Sequence, residues 1–353
     1  MALIVSDDEA ERLLSVRDAI PVVEQAIGAL AAERALSSPR YNLATPIGPE
    51  REGVVKLWAA VLPDAGVAAV RVTSAILDVT QYGSRAVGEP VAAAPGRRYT
   101  GLILVLSSRT SEPLGIVHDG HISRLGISIP VGIAAGRLSR QDTSIIGVLG
   151  TGAQARQQVE AVTATRRVAE VRVFAPRKTD AERFAREVAE TLGLPIAACG
   201  DQQQAVDGCD VVIAATSALR PVIDADWVRP GTHVSFTRLW EVPDALLARA
   251  PRMFSVGPAP TVTLALEKAG AVWQARQAKA SGVGYRIESL AALISGLAPG
   301  RRSSEEVTVF APFLGQSPGV LWPALGKEVL DRAAAAGVGE MFPLDWLLQG
   351  RPS

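Results

Sequence analysis

The spacing of apolar positions changes near residue 122 and divides the chain in two. Before that point, Leu13, Leu14, Val16, Ile20, Val23, Ile27 and Leu30 recur at helical spacing and predict a helix over residues 8–36. Ser38-Pro39-Arg40 closes it. Residues 53–61 and 66–77, rich in Val, Ala and Leu, read as strands joined by a hairpin turn at Leu62-Pro63-Asp64-Ala65-Gly66. Residues 80–100 are rich in Gly, Pro and Ala and read as an exposed loop, followed by strands at Gly101–Ser107 and Leu114–His118. This first region is mixed α+β.

From Ile122 onward the rhythm is different. Residues 127–138 are small and apolar, which suits a buried helix. Strands at 144–149, 170–175, 195–198 and 211–215 then alternate with helices at 153–165, 179–192 and 202–207. Strands and helices alternating over short links predict a parallel, doubly wound sheet. Val234–Phe236 and Met253–Val256 add two strands. From Val307 the sequence turns irregular, ends in a helix near 324–336, and is expected to pack back on the N-terminal region. The expected fold is α/β: a Rossmann sheet over residues 126–310, beside an α+β unit built from residues 1–125 and the tail, 311–353.

At the start of the Rossmann pattern, an apolar run ends in Gly150-Thr151-Gly152, and Ala153-Gln154-Ala155 opens a helix. This is the strand–turn–helix setting of a dinucleotide fingerprint. Gly150 permits the tight turn, Gly152 lets the backbone approach a pyrophosphate, and Ala155 takes the small position where helix and strand pack. Free N–H groups and the helix dipole favour phosphate there. NAD-type sites end the next strand with an acid that binds the ribose hydroxyls. Here that strand ends Phe174-Ala175-Pro176-Arg177-Lys178-Thr179, with two cations and a hydroxyl. Arg177 can fork onto a 2′-phosphate and Lys178 adds a point charge. The reading is therefore NADP(H) over NAD(H), with Asp180 the acid nearest that strand end.

Composition narrows the partners. Lys+Arg and Asp+Glu both number 36, so neither nucleic acid nor an anionic membrane is an expected partner. No apolar stretch is long enough to span a bilayer. Cys199 and Cys209 form no disulfide framework, which points to the cytoplasm. His118, His121 and His233 have no spaced cysteines or acids around them, so no metal site is assigned.

Several separated stretches resemble the ornithine cyclodeaminase/mu-crystallin family. They are Gly150–Ala155 followed by Gln157; Arg177-Lys178-Thr179 with Ala181–Ala185; Asp210–Ser217 with Pro221-Val222; and Trp227 with Pro230-Gly231-Thr232-His233. Ser38-Pro39-Arg40 and Glu305–Phe310 fit as well. The resemblance implies a homodimer, with the N-terminal region and tail forming the substrate and dimerisation domain. It also implies NAD(P)(H)-dependent hydride transfer at the carbon of a C–N bond in amino acids, imino acids or ketimines. Thr216 and Ser217 then join Gly150, Thr151, Gly152, Ala153, Gln154, Arg177, Lys178 and Thr179 as cofactor-binding residues.

The chain departs from the family at the chemical positions. The family's lysine on the second hairpin strand is Arg71 here, which stays protonated and suits a carboxylate clamp better than proton transfer. An acid on the preceding strand is replaced by Lys56. A turn centred on Pro63-Asp64 sets Lys56 and Arg71 roughly opposite, where two cations need an anion between them. Arg124 stands where the resemblance places a carboxylate-binding arginine, and Arg40 matches a second one. The aspartate expected after His233 falls on Trp240, or on Glu241 with a one-residue shift. Glu241 becomes the substitute acid/base and Trp240 a stacking surface for substrate. Ala311-Pro312-Phe313-Leu314-Gly315 replaces a Ser-x-Gly element near the nicotinamide. The catalytic candidates are Lys56, Arg71 and Glu241, with His118 a further acid; Arg40, Arg71, Arg124 and Trp240 are candidates for binding a carboxylate-bearing small molecule. The expected activity is reduction of an imino acid or ketimine. The alternatives are an ornithine- or lysine-type cyclodeaminase and a silent, nucleotide-loaded binding protein.

Overall fold

A computed structural model describes residues 2–48, 50–82, 85–96, 98–250, 252–257, 261–265, 274–277, 286–312, 319–348 and 350. The N-terminal half comprises β1 (Ala2–Val5), α1 (Asp7–Leu13), α2 (Val16–Ala31), β2 (Leu36–Ser37), β3 (Arg40–Gly48), β4 (Arg51–Leu62), β5 (Val67–Tyr82), β6 (Arg85–Val91), β7 (Thr100–Ser107) and β8 (Pro113–His118). Helix α3 (Asp119–Leu138) leads into β9 (Ile145–Leu149), α4 (Ala153–Thr165), β10 (Glu170–Phe174), α5 (Lys178–Leu192), β11 (Ile196–Ala198), α6 (Gln202–Val206), β12 (Val211–Ala214) and β13 (His233–Phe236). Then follow α7 (Asp244–Ala248), β14 (Arg252–Ser255), β15 (Thr261–Ala265), β16 (Gln274–Gln277), β17 (Arg286–Ser289), α8 (Leu290–Ile294), β18 (Thr308–Phe310), α9 (Leu321–Ala336) and β19 (Glu340–Phe342).

Among the described residues two sheets form. The second runs β11-β10-β9-β12-β13-β18-β14-β17, and all its pairings are parallel. The chain leaves β9 toward β10 and β11, then returns to the other side of β9 for β12 and β13. The crevice at this reversal, beyond the strands' carboxyl ends, is where doubly wound sheets take their ligands. Val148, Val173, Ile213 and Val234 in these strands are fully buried, which is why they read as continuous apolar runs. The first sheet runs β16-β15-β3-β4-β5-β7-β8-β1-β19, with β2 and β6 paired beside it. Strands β15 and β16 belong to this sheet although they lie inside residues 126–310. No helix among the described residues is long and apolar enough to cross a membrane.

Several local expectations changed. The helix drawn over 8–36 is two helices, because Ser15 accepts from the Asp18 N–H and caps a new one. The segment drawn as a loop over 80–100 instead extends β5 to Tyr82 and returns as β6. The buried helix drawn from 127 starts at Asp119, with the His118 ring accepting from the Gly120 N–H as its cap. Two tertiary contacts fix how α3 lies. A Cβ on Gly132 would strike the Ala161 carbonyl of α4, and one on Gly136 would press on Thr165. Both contacts pair a residue of α3 with one 29 positions later, so the helices run side by side in the same direction. Their N-terminal turns therefore share one end of the molecule.

Candidate active site

At that end, Gly150 adopts φ +106, and a Cβ there would collide with the Ala215 carbonyl. Only glycine tolerates both the conformation and the contact. A Cβ on Gly152 would meet nothing within 4 Å, so this position lies open to a ligand. Gly152 caps α4 without a side-chain hydrogen bond, and the first turn carries no acid. The opening N–H groups of α4 thus lack internal acceptors. Gln154 in the same turn holds a buried Oε1 without a hydrogen-bond partner. A cavity of about 670 Å³ opens here, crossing the ends of β10, β9, β12 and β13. Gly150, Thr151, Gly152, Ala153, Gln154, Thr216 and Ser217 line it, as do Thr237 and Arg238. These residues fit a dinucleotide: bare helix N–H groups, a backbone free to approach phosphate, and room along the switch point.

At the β10 end the lining residues are Arg177 and Asp180. Lys178 and Thr179 do not line the cavity; they lie exposed in the first turn of α5, with Lys178 3.5 Å from Glu182. Asp180 takes Arg177 at 2.7 Å and Arg183 at 2.8 Å, so its charge is already engaged by two guanidinium groups.

Glu241 is a correction. It is fully buried, and its carboxylate accepts four hydrogen bonds: from the Thr216 N–H and hydroxyl, both at 2.7 Å, and from the N–H groups of Thr237 (2.9 Å) and Arg238 (2.7 Å). Both oxygens are occupied by donors. Burial pushes the carboxyl up, against the opposing pull of the Thr216, Arg238 and Thr237 donors. Glu241 ties the loop after β12 to the loop after β13 and has no face toward a substrate. Trp240 is half-buried and donates from its indole to the Ala218 carbonyl at 2.7 Å, with Arg238 5.6 Å from its ring centre.

A second group of charged side chains forms on one face of the first sheet. Register places Trp58, not Lys56, opposite Arg71, and sets Lys56 opposite Thr73 and Asn42. Lys56 and Arg71 are diagonal neighbours on one face rather than a direct pair. Arg40 joins them, its guanidinium 5.0 Å from the Trp58 ring centre. Arg71 is held between Trp58 at 5.0 Å and Trp322 of α9 at 4.3 Å. Its Nε and Nη2 donate to Asp119 and Ser123 at 2.8 and 2.9 Å. Those two residues lie one turn apart at the start of α3, so the cationic face and the glycine turn lie at the same end of the molecule. Three buried donors here have no hydrogen-bond partner among the described residues: Arg40 Nε and the indole nitrogens of Trp58 and Trp322. Burial first, then Arg40 and Arg71, push the Lys56 ammonium below its ordinary range against the pull of Asp119. Buried donors and cations in excess of the acceptors beside them constitute a site for an anion.

Arg124 is elsewhere. It reaches Asp7 at 3.4 Å and Glu11 at 3.3 Å, binding α3 to α1. It follows Ser123 by one residue, a rotation of about 100° that turns it off the Arg71 face. His118 is engaged too, 3.5 Å from Asp7 and 3.3 Å from the Tyr99 carbonyl. Phe313, Leu314 and Gly315 lie outside the described residues.

The family model for the ornithine cyclodeaminase/mu-crystallin family matches residues 90–313. The chain belongs to this family. It is 28% identical over 348 residues to the alanine dehydrogenase of Archaeoglobus fulgidus, covering 96% of this chain and 97% of that one. Its fold is that of the Thermococcus litoralis Δ1-pyrroline-2-carboxylate reductase solved with NADH and L-proline, with TM-score 0.76, 22% identity and coverage of 96% and 100%. An archaeal alanine dehydrogenase dimer with bound NAD gives TM-score 0.74 at 24% identity, covering 96% and 98%. Within this family frame, reasoning from sequence missed Trp58, Asp119, Ser123, Trp322 and Arg238. The 119/123 spacing and the Lys-x-Trp alternation were its available signals; Trp322 carried none, since it lies 251 positions beyond Arg71.

Proposed function

We propose that this protein is an NAD(P)H-dependent oxidoreductase that reduces the C=N bond of an imino acid or ketimine. The observation that carries the proposal is the buried cationic face of Arg40, Lys56 and Arg71, with its unpartnered donors, at the end of the molecule where α4 presents its bare N-terminus. Gly150, Thr151, Gly152, Ala153 and Gln154 would hold the pyrophosphate, and Thr216 and Ser217 flank the crevice beside it. The bound nicotinamide supplies a hydride. Arg40 and Arg71 orient the substrate carboxylate, and Asp119, Ser123 and the two tryptophans hold Arg71 in one place. The substrate nitrogen enters as the protonated iminium, because the acid assigned at Glu241 has no free oxygen. Residues 1–125 and 311–353 act as the substrate side and 126–310 as the nucleotide side, apart from β15 and β16.

Imine reduction fits better than cyclodeamination. A cyclodeaminase acting on ornithine or lysine brings a second ammonium into the site, where Lys56 and two arginines repel it. Pyrroline-2-carboxylate or piperideine-2-carboxylate should drive steady NADPH oxidation, followed at the nicotinamide absorbance. Ammonia release from ornithine or lysine without net cofactor change would overturn the reading, and tight nucleotide binding with neither activity would mark a binding protein. NADPH is the preferred cofactor, since Arg177 lines the cavity and Asp180 is neutralised by two arginines. Arg177→Ala should weaken NADPH binding about tenfold, the loss of one charge-assisted contact, and leave NADH unchanged in calorimetry. The protein acts as a homodimer. Tyr41, Val72 and Leu102 form a row across the open face of the first sheet, between 37% and 45% exposed, which a second copy would cover. Val72→Arg should shift sedimentation toward the monomer.

A further inference from the structure

The charge balance of the cationic face carries more than a carboxylate clamp. Three cations, Arg40, Lys56 and Arg71, share one face of β3, β4 and β5. One carboxylate answers them among the described residues: Asp119, at 2.7 Å from Arg71. No carboxylate lies within ion-pair distance of Arg40 or Lys56 among those residues, and the partial burial of both makes their charges costly when unanswered. A monocarboxylate neutralises one of the two. An occupant with two negative groups neutralises both.

We infer that the substrate is a dianion, a four- or five-carbon α-imino dicarboxylate, with one carboxylate on Arg40 and Arg71 and the second on Lys56. This rests on the imine-reductase reading for the reaction but not for binding. Lys56 is then the specificity-determining residue. It lies two positions from Trp58 along β4, diagonal to Arg71, and the diagonal spacing of about 7 Å between Cβ atoms leaves two long side chains room to grip opposite ends of a short diacid. Asn42 and Thr73, its register partners, supply neutral polar groups on the same face. An ammonium-bearing side chain meets the three cations Arg40, Lys56 and Arg71 at this position, against the single carboxylate of Asp119.

The test uses the full chain saturated with NADP+ and follows indole fluorescence, since Trp58 and Trp322 bracket Arg71. Succinate and oxaloacetate are titrated against butyrate and pyruvate at constant ionic strength. The diacids should bind at least 30-fold more tightly. Lys56→Met should reduce that ratio below about threefold while leaving monoacid binding within twofold, and Lys56→Arg should restore it; circular dichroism melts establish that each variant is folded. Equal affinity for mono- and diacids in the wild type overturns the inference, as does equal weakening of both by Lys56→Met. Should Lys56→Met fail to fold, the wild-type ratio and Lys56→Arg decide alone. A parallel assay offers NADPH and methylamine with oxaloacetate or pyruvate. Reduction of pyrroline-2-carboxylate without diacid preference refutes this inference and leaves the reductase reading intact. Selective diacid binding without reduction of any imine refutes the reductase reading and leaves this one.

Discussion

Replacing Glu241 by glutamine separates a brace from a catalytic acid. The four donors converge on two oxygens at 2.7–2.9 Å in a fully buried setting. A glutamine keeps one carbonyl oxygen for two of them and turns an amide NH2 toward the other two. It fits best with the NH2 toward Thr216, whose hydroxyl can accept from it; the Thr216 N–H then faces a second donor. One stranded buried donor costs about 1–3 kcal/mol, and loss of the charge on the remaining bonds adds about 1 kcal/mol. The expected loss is thus about 3 kcal/mol for Glu241→Gln in urea unfolding at pH 7. Nucleotide affinity should fall with it, since the loops after β12 and β13 lose their tie. A Glu241→Gln protein of unchanged stability with kcat reduced a thousandfold would refute the brace and return Glu241 to the chemistry.

Gly152→Ala should fold normally, because a Cβ there meets nothing within 4 Å, yet lose at least tenfold in dinucleotide affinity by calorimetry; unchanged affinity would remove the pyrophosphate from this turn. Arg71→Met should destabilise the protein by about 3 kcal/mol by leaving Asp119 buried without its partner, and adding Asp119→Asn should recover part of that in a double-mutant cycle. Additive losses would show that the pair is uncoupled. His233 is fully buried between Thr308 (2.9 Å) and Ser235 (3.1 Å), and burial pulls its pKa down to about 3. Below the unfolded-state pKa of about 6.5 the unfolded chain takes up a proton that the native chain refuses, so stability falls as pH drops. The loss is about 1.4 kcal/mol per unit, or about 2 kcal/mol at pH 5. Denaturant melts at pH 7 and pH 5 on the wild type and on His233→Asn measure it; equal slopes in the two proteins would disprove it.

The nucleotide half was legible in sequence because its signals are local. The turn at Gly150 demands a backbone conformation that glycine alone adopts readily, and alternating strands and helices over short links leave few topologies. The site in the first sheet was legible only in part. The family resemblance picked out Arg40, Lys56 and Arg71, but their register, with Trp58 rather than Lys56 facing Arg71, depends on how β4 and β5 pair. Arg124 and Glu241 were read from position along the chain, which does not set where a side chain points. One residue along a helix rotates a side chain by about 100°, which turned Arg124 toward α1. Four donors from two loops closed around Glu241, a convergence that no spacing along the chain encodes. The packing of α3 beside α4 brought the cationic face to the same end as the glycine turn, and α9 placed Trp322 on Arg71. Such contacts join residues far apart in sequence, and only the folded chain brings them together.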